Sequence, residues 1–204
     1  MENKKDSCII FIHGLKGSAK EAKFYHFLSD KYDVIGLNYE DGDAFKMREI
    51  ITSKFLELTK DYKNINVIAN SIGAFYTYVF LENFNINKAL FISPFVSMKE
   101  YTEESIKESN ISINEFKKEK IVKAKNGYLF SYDFYEYIKN FDTKLKAQIE
   151  VIYGDKDDLV PVSTINNFVQ KTNAKLYIFN GGGHYFNTIP QLRFIKKIAS
   201  EFFK

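Results

Sequence analysis

The 204-residue chain is 45% hydrophobic and 27% charged, a balance that suits one globular domain burying about 70% of its unfolded surface and excludes a disordered or fibrous chain. Its 29 basic and 26 acidic residues leave a net charge of +3, and lysines are interspersed with glutamates, so no electrostatic footprint for nucleic acid or a membrane surface is expected. One cysteine, no apolar run near the about 18 residues of a membrane span, and an opening run too short for a signal-peptide core set the expectation of a cytoplasmic protein.

The first predicted strand, 8–12, is the apolar run Cys8-Ile9-Ile10-Phe11-Ile12, and it passes straight into His13-Gly14-Leu15-Lys16-Gly17-Ser18. The two glycines permit a bend in which the Leu15 backbone N–H turns inward as a donor to a developing negative oxygen; a glycine turn capped by Ser18 is an equally ordinary use of these residues. A helix over 21–28 carries His26 as a surface or packing residue. A strand follows at 34–37, and Met47, Ile51, Phe55 and Leu58 recur at helical spacing as one apolar stripe.

The strand at 65–69 runs through Asn70-Ser71-Ile72-Gly73 into a helix around 75–81. A serine on such a turn is held in a strained conformation with its hydroxyl projecting, and small residues two positions either side, Ala69 and Gly73, let strand and helix approach. The Ile72 N–H, at a helix N-terminus, lacks an intrahelical acceptor and is a second donor for an oxyanion. Taken singly, a serine here is more often a simple helix N-cap.

After a strand at 89–92, about fifty residues (97–146) separate it from the next, where a crossover needs about a dozen. This interval is read as a helical insertion whose first part, 99–125, mixes Glu and Lys and whose run Tyr128 to Tyr137 is densely aromatic. It forms either packed surface helices or a cap covering a pocket. The strand at 149–153 leads into Gly154-Asp155-Lys156-Asp157-Asp158-Leu159-Val160-Pro161, where three carboxylates compete to orient a histidine; no calcium-loop spacing follows. The last strand, 176–179, ends in Asn180-Gly181-Gly182-Gly183-His184, and Leu192, Ile195, Ile198 and Phe202 form a terminal helical stripe. The chain has three histidines, and with His13 tied to the glycine turn and His26 in a helix, His184 is the candidate base for Ser71. The alternation predicts an α/β fold: a three-layer α/β/α domain over 1–204 around a mostly parallel six-stranded sheet, with ligands beyond the carboxyl ends of the strands.

These motifs resemble the α/β-hydrolase superfamily over nearly the whole chain, as a small serine esterase- or lipase-like member. In that family a nucleophile, an acid and a histidine follow strands in this order, as Ser71, Asp157 and His184 do. The family's Gly-x-x-Asp-x-x-Val-Pro arrangement selects Asp157 over Asp155 and Asp158, and its His-Gly-x loop maps onto His13, Gly14 and Leu15, which makes the Leu15 and Ile72 backbone N–H groups the oxyanion hole. Ala69 stands where the family usually has glycine, the loop Asn38-Tyr39-Glu40-Asp41-Gly42-Asp43 lacks the frequent Arg/Pro-Gly-x-Gly signature, and the antiparallel pair that often opens the fold is missing. The resemblance implies an acyl-enzyme hydrolase of a small or medium apolar or aromatic ester, with a small-molecule partner and no metal or cofactor. Two other readings are a catalytically silent binding protein of the same fold and an aminopeptidase, for which Glu100, Glu103 and Glu104 are the available amine-binding anions.

Overall fold

Ile, Val and Phe concentrate in short runs because a strand covered on both faces has no solvent side on which to place polar residues. The computed structural model, which describes residues 6–39, 42–125, 127–141 and 145–204, turns each run into a strand. In chain order the elements are β1 (Ser7–Ile12), a 3-10 helix (Ala19–Leu28), β2 (Asp33–Gly36), α1 (Ala44–Asp61), β3 (Asn64–Asn70), α2 (Ile72–Phe80), β4 (Lys88–Ile92), α3 (Met98–Glu108), α4 (Ile113–Glu119), β5 (Ile121–Lys123), β6 (Leu129–Ser131), α5 (Tyr132–Ile138), β7 (Gln148–Gly154), α6 (Val162–Thr172), β8 (Lys175–Phe179) and α7 (Ile189–Phe202). They fall into two compact units, Met1–Val96 with Thr143–Lys204, and Ser97–Asp142.

The first unit holds a six-stranded sheet of order β2-β1-β3-β4-β7-β8, parallel at every pairing. Its alternate residues face opposite layers. Ile9, Phe11, Ile68, Leu90, Ile92 and Ile152 pack against Tyr25 and Leu28 of the 3-10 helix and Ile195, Ile198 and Phe202 of α7. On the other face Phe91 meets Phe168 of α6 at 6.1 Å between ring centroids, and Tyr78 of α2 meets the same ring at 5.6 Å. The predicted stripe Met47, Ile51, Phe55 and Leu58 is the buried side of α1. Register then places the site: Ile12 lies opposite Ala69, and Asn70 opposite Ile92, so His13, Ser71 and Ser93 follow the ends of three adjacent central strands.

Local side chains set where the helices start. Asp43 accepts the Phe45 and Lys46 N–H groups at 2.9 and 3.0 Å to open α1, and Ser18 with Glu21 forms a capping box on the 3-10 helix. Of the stripe read on α7, Ile195, Ile198 and Phe202 are buried, and only its first position differs. Leu192 is half-buried, whereas Gln191 is buried because its Oε1 accepts the Thr188 N–H and hydroxyl at 3.0 and 2.7 Å.

The second unit falls in the interval read as a helical insertion and adds a feature that reading lacked. Besides α3, α4 and α5 it contains the antiparallel hairpin β5–β6, whose residues alternate outward and inward with period two. The aromatic run therefore divides: Phe130 comes from the hairpin, Tyr132 and Tyr135 from α5, and all three pack with Ile106 and Val122 around the fully buried Phe116. Among the described residues no helix is long and apolar enough to cross a membrane.

Candidate active site

Ser71 sits between β3 and α2 at φ 48°, ψ −119°, a region that costs a non-glycine residue about 1–3 kcal/mol. Main-chain bonds to the end of β4, the loop after it and the first turn of α2 hold it there: the Ser71 N–H donates to Ile92 O at 3.0 Å, and Ser71 O accepts from the Phe95 N–H at 3.0 Å and the Ala74 N–H at 3.1 Å. The helix beyond must pass hard against β1, where a Cβ on Gly73 would fall 2.4 Å from Ile12 O and 2.6 Å from His13 O. The Ser71 hydroxyl makes no capping bond to α2. Its Oγ lies instead 2.8 Å from His184 Nε2.

On the other side of the ring, His184 Nδ1 is 2.8 Å from Asp157 Oδ2. An ionised carboxylate only accepts, so Nδ1 carries the proton and Nε2 is left to accept from the serine hydroxyl. The second carboxylate oxygen of Asp157 accepts the Leu159 and Val160 N–H groups at 2.9 Å each. Below that turn, Tyr153 of β7 donates its hydroxyl to Val160 O at 2.7 Å, and burial pushes the phenol up, so it remains a neutral donor. The side chains of His184 and Asp157 are 3% and 0% exposed, which removes most of the water that would screen a charge on the imidazole.

The three carboxylates of this loop thus part company. Asp157 meets the imidazole; Asp155 Oδ1 accepts the Gly181 N–H at 2.6 Å; Asp158 is exposed. Together with a bond from the Lys156 N–H to Gly182 O at 2.8 Å, Asp155 ties the glycine run before His184 to the acid loop, a task the sequence pattern does not reveal.

The loop after β1 runs beside the serine: a Cβ on Gly14 would lie 3.2 Å from Ser71 Cβ. Gly14 O accepts the Gly17 N–H at 3.0 Å across a turn with Lys16 at φ 58°, which leaves the Leu15 N–H outside the turn's own bond. The Ile72 N–H follows Ser71 directly as the first of α2. His13 stays with its turn, buried, its Nδ1 2.8 Å from Gly14 O and its ring stacked on Tyr39 at 4.0 Å and 7°; His26 is exposed. In the loop lacking the family signature, Glu40 and Asp41 lie outside the described residues, while Tyr39 is buried.

In the second unit, Glu103 accepts the Tyr135 hydroxyl at 2.7 Å and Glu100 and Glu104 are exposed on α3. Among the described residues no group of three or more His, Cys, Asp or Glu is placed to hold a metal ion.

No protein-family model and no curated protein matches this sequence. Solved structures do. Est1E from Butyrivibrio proteoclasticus, also solved with ferulic acid bound, superposes with a TM-score of 0.75 at 18% identity, covering 98% of this chain and 88% of its own. A lipase-esterase related protein from Clostridium acetobutylicum gives 0.62 at 17% identity over 98% and 95% of the two chains. Alpha/beta hydrolase domain-containing protein 10 from mouse gives 0.64 at 14% identity over 98% and 90%. With its parallel strand order and these likenesses together, the chain has the α/β-hydrolase fold.

Proposed function

We propose that this protein is a serine hydrolase that cleaves carboxylic esters through an acyl-enzyme. The observation that carries the reading is the unbroken series of hydrogen bonds from Ser71 Oγ through His184 to Asp157. In the first half-reaction Ser71 Oγ bonds to the ester carbonyl carbon while His184 Nε2 takes the hydroxyl proton. Asp157 stabilises the imidazolium so formed, and the Leu15 and Ile72 N–H groups receive the oxyanion. Collapse breaks the bond to the alcohol, which leaves with the proton from His184. Water then repeats the sequence, releasing the acid and restoring Ser71.

For the substrate, an apolar or aromatic acyl group is the favoured class. Leu15, Leu159 and Tyr185 are exposed apolar side chains within two residues of Gly14, Asp157 and His184, and Est1E, of the same fold, has been solved with ferulic acid. The buried, unpaired Cys8 suits a reducing compartment such as the cytoplasm.

The test is hydrolysis of p-nitrophenyl esters of increasing acyl length. Ser71→Ala and His184→Ala are expected each to lower turnover by about 10⁶-fold, because members of such a set act as a unit, with far-UV circular dichroism unchanged. Retained turnover in either folded variant rejects the reading.

A further inference from the structure

The Gly14–Leu15 peptide is planar and trans, so its C=O and N–H point in opposite directions. Its carbonyl accepts two bonds, from His13 Nδ1 at 2.8 Å and from the Gly17 N–H at 3.0 Å. Those two donors therefore set where the Leu15 N–H points. One of them belongs to a side chain that must itself be held, and it is not held at its far end: His13 Nε2 is buried and has no hydrogen-bond partner among the described residues.

What holds the imidazole is a ring from another loop. Tyr39, three residues past β2, stacks on it at 4.0 Å and 7°, and its hydroxyl donates to His13 O in a buried bond. That bond fixes the His13–Gly14 peptide, the unit just before the one that carries the Leu15 N–H, and its acceptor is the same carbonyl that Gly73 must clear. Tyr39 is backed in turn by Tyr76 of α2, edge to face at 6.1 Å and 76°. One side chain thus braces the ring and the main chain of the loop against the helix that starts beside Ser71.

We infer that Tyr39 is a positioning residue: through His13 it sets the direction of the Leu15 N–H. The inference rests on the acyl-transfer reading of the site. It assigns Tyr39 no contact with substrate, so its loss should lower the rate of the chemical step and leave ground-state binding alone.

The experiment measures kcat and KM for p-nitrophenyl butyrate. Tyr39→Phe keeps the stack and loses the hydroxyl bond; kcat is expected to fall about tenfold with KM within about twofold, a fraction of the about 10²–10³ that outright loss of an oxyanion donor costs. Tyr39→Leu, which loses both, should fall further. Wild-type protein that turns over the ester while folded Tyr39→Phe matches its kcat, or differs from it only in KM, rejects the inference and leaves the acyl-transfer reading standing. Wild-type protein without turnover rejects the reading and the inference with it. A measurement on wild-type protein guards against variants that do not fold: nitrogen-15 spectra of labelled histidine should show His13 protonated at Nδ1, and a neutral ring protonated at Nε2 alone overturns the argument.

Discussion

Asp157 holds its place with three hydrogen bonds, two from main-chain N–H groups and one from the imidazole, and Asp158, next in the chain, faces solvent. The two should separate cleanly on mutation. Asp157→Asn is expected to lower ester turnover by about 10⁴-fold, since an amide at that position favours the wrong tautomer of His184; Asp158→Asn should leave turnover within about twofold. Steady-state assay of both variants decides, and the reverse order would move the orienting acid by one residue. A different carboxyl tests the electrostatics of the sheet. Glu150 of β7 is buried with Oε2 lacking a hydrogen-bond partner among the described residues, and burial pushes its carboxyl up against the opposing help of Tyr177, Lys175 and Lys88. The folded chain then holds this proton more tightly than the unfolded chain, so the contribution to stability is present at low pH and is lost as pH rises from the ordinary carboxylate range through the raised folded value. Glu150→Gln should gain melting temperature relative to wild type as pH is raised from 4 to 7. A difference that stays flat across that range would contradict it.

At the scale of elements, burial on both faces made the four central strands β1, β3, β4 and β7 readable as compact apolar runs, and the edge strands β2 and β8, which hold no buried residue, were readable as short apolar runs with turn residues at their ends. The strand-to-helix turn of Ser71 and the glycine run before His184 were readable for a related reason: backbone needs restrict their residue types. Tyr39 and Asp155 were not, because each acts across the fold. Tyr39 bonds to a carbonyl 26 residues away and Asp155 to an N–H 26 residues away, and neither distance leaves a local pattern. The hairpin within the insertion was missed for a different reason: in 121–131 two three-residue strands carry too few alternations to outweigh the helical spacing around them. Its core is small and centred on Phe116. Phe116→Ala should destabilise it by about 3–5 kcal/mol, read as lost hydrogen-exchange protection in α3, α4 and α5 with protection in β3 and β4 retained. Equal loss in both units would show that they unfold together.

Across the whole molecule, the sheet joins residues that are far apart in the chain: 113 positions separate Ser71 from His184, and 27 separate Asp157 from His184. Parallel strands with crossover connections deliver every loop that leaves a strand's carboxyl end to one sheet edge, so a nucleophile from the middle of the chain and a base from near its end meet without any local sequence relation. Reaction with a fluorophosphonate reads that meeting most directly, because the probe bonds to a serine only where a base removes its proton and donors receive the oxyanion. Intact-mass and peptide analysis should find one adduct per chain, on Ser71, and none on His184→Ala. Folded wild-type protein that takes no adduct, or takes it on another residue, would contradict the account.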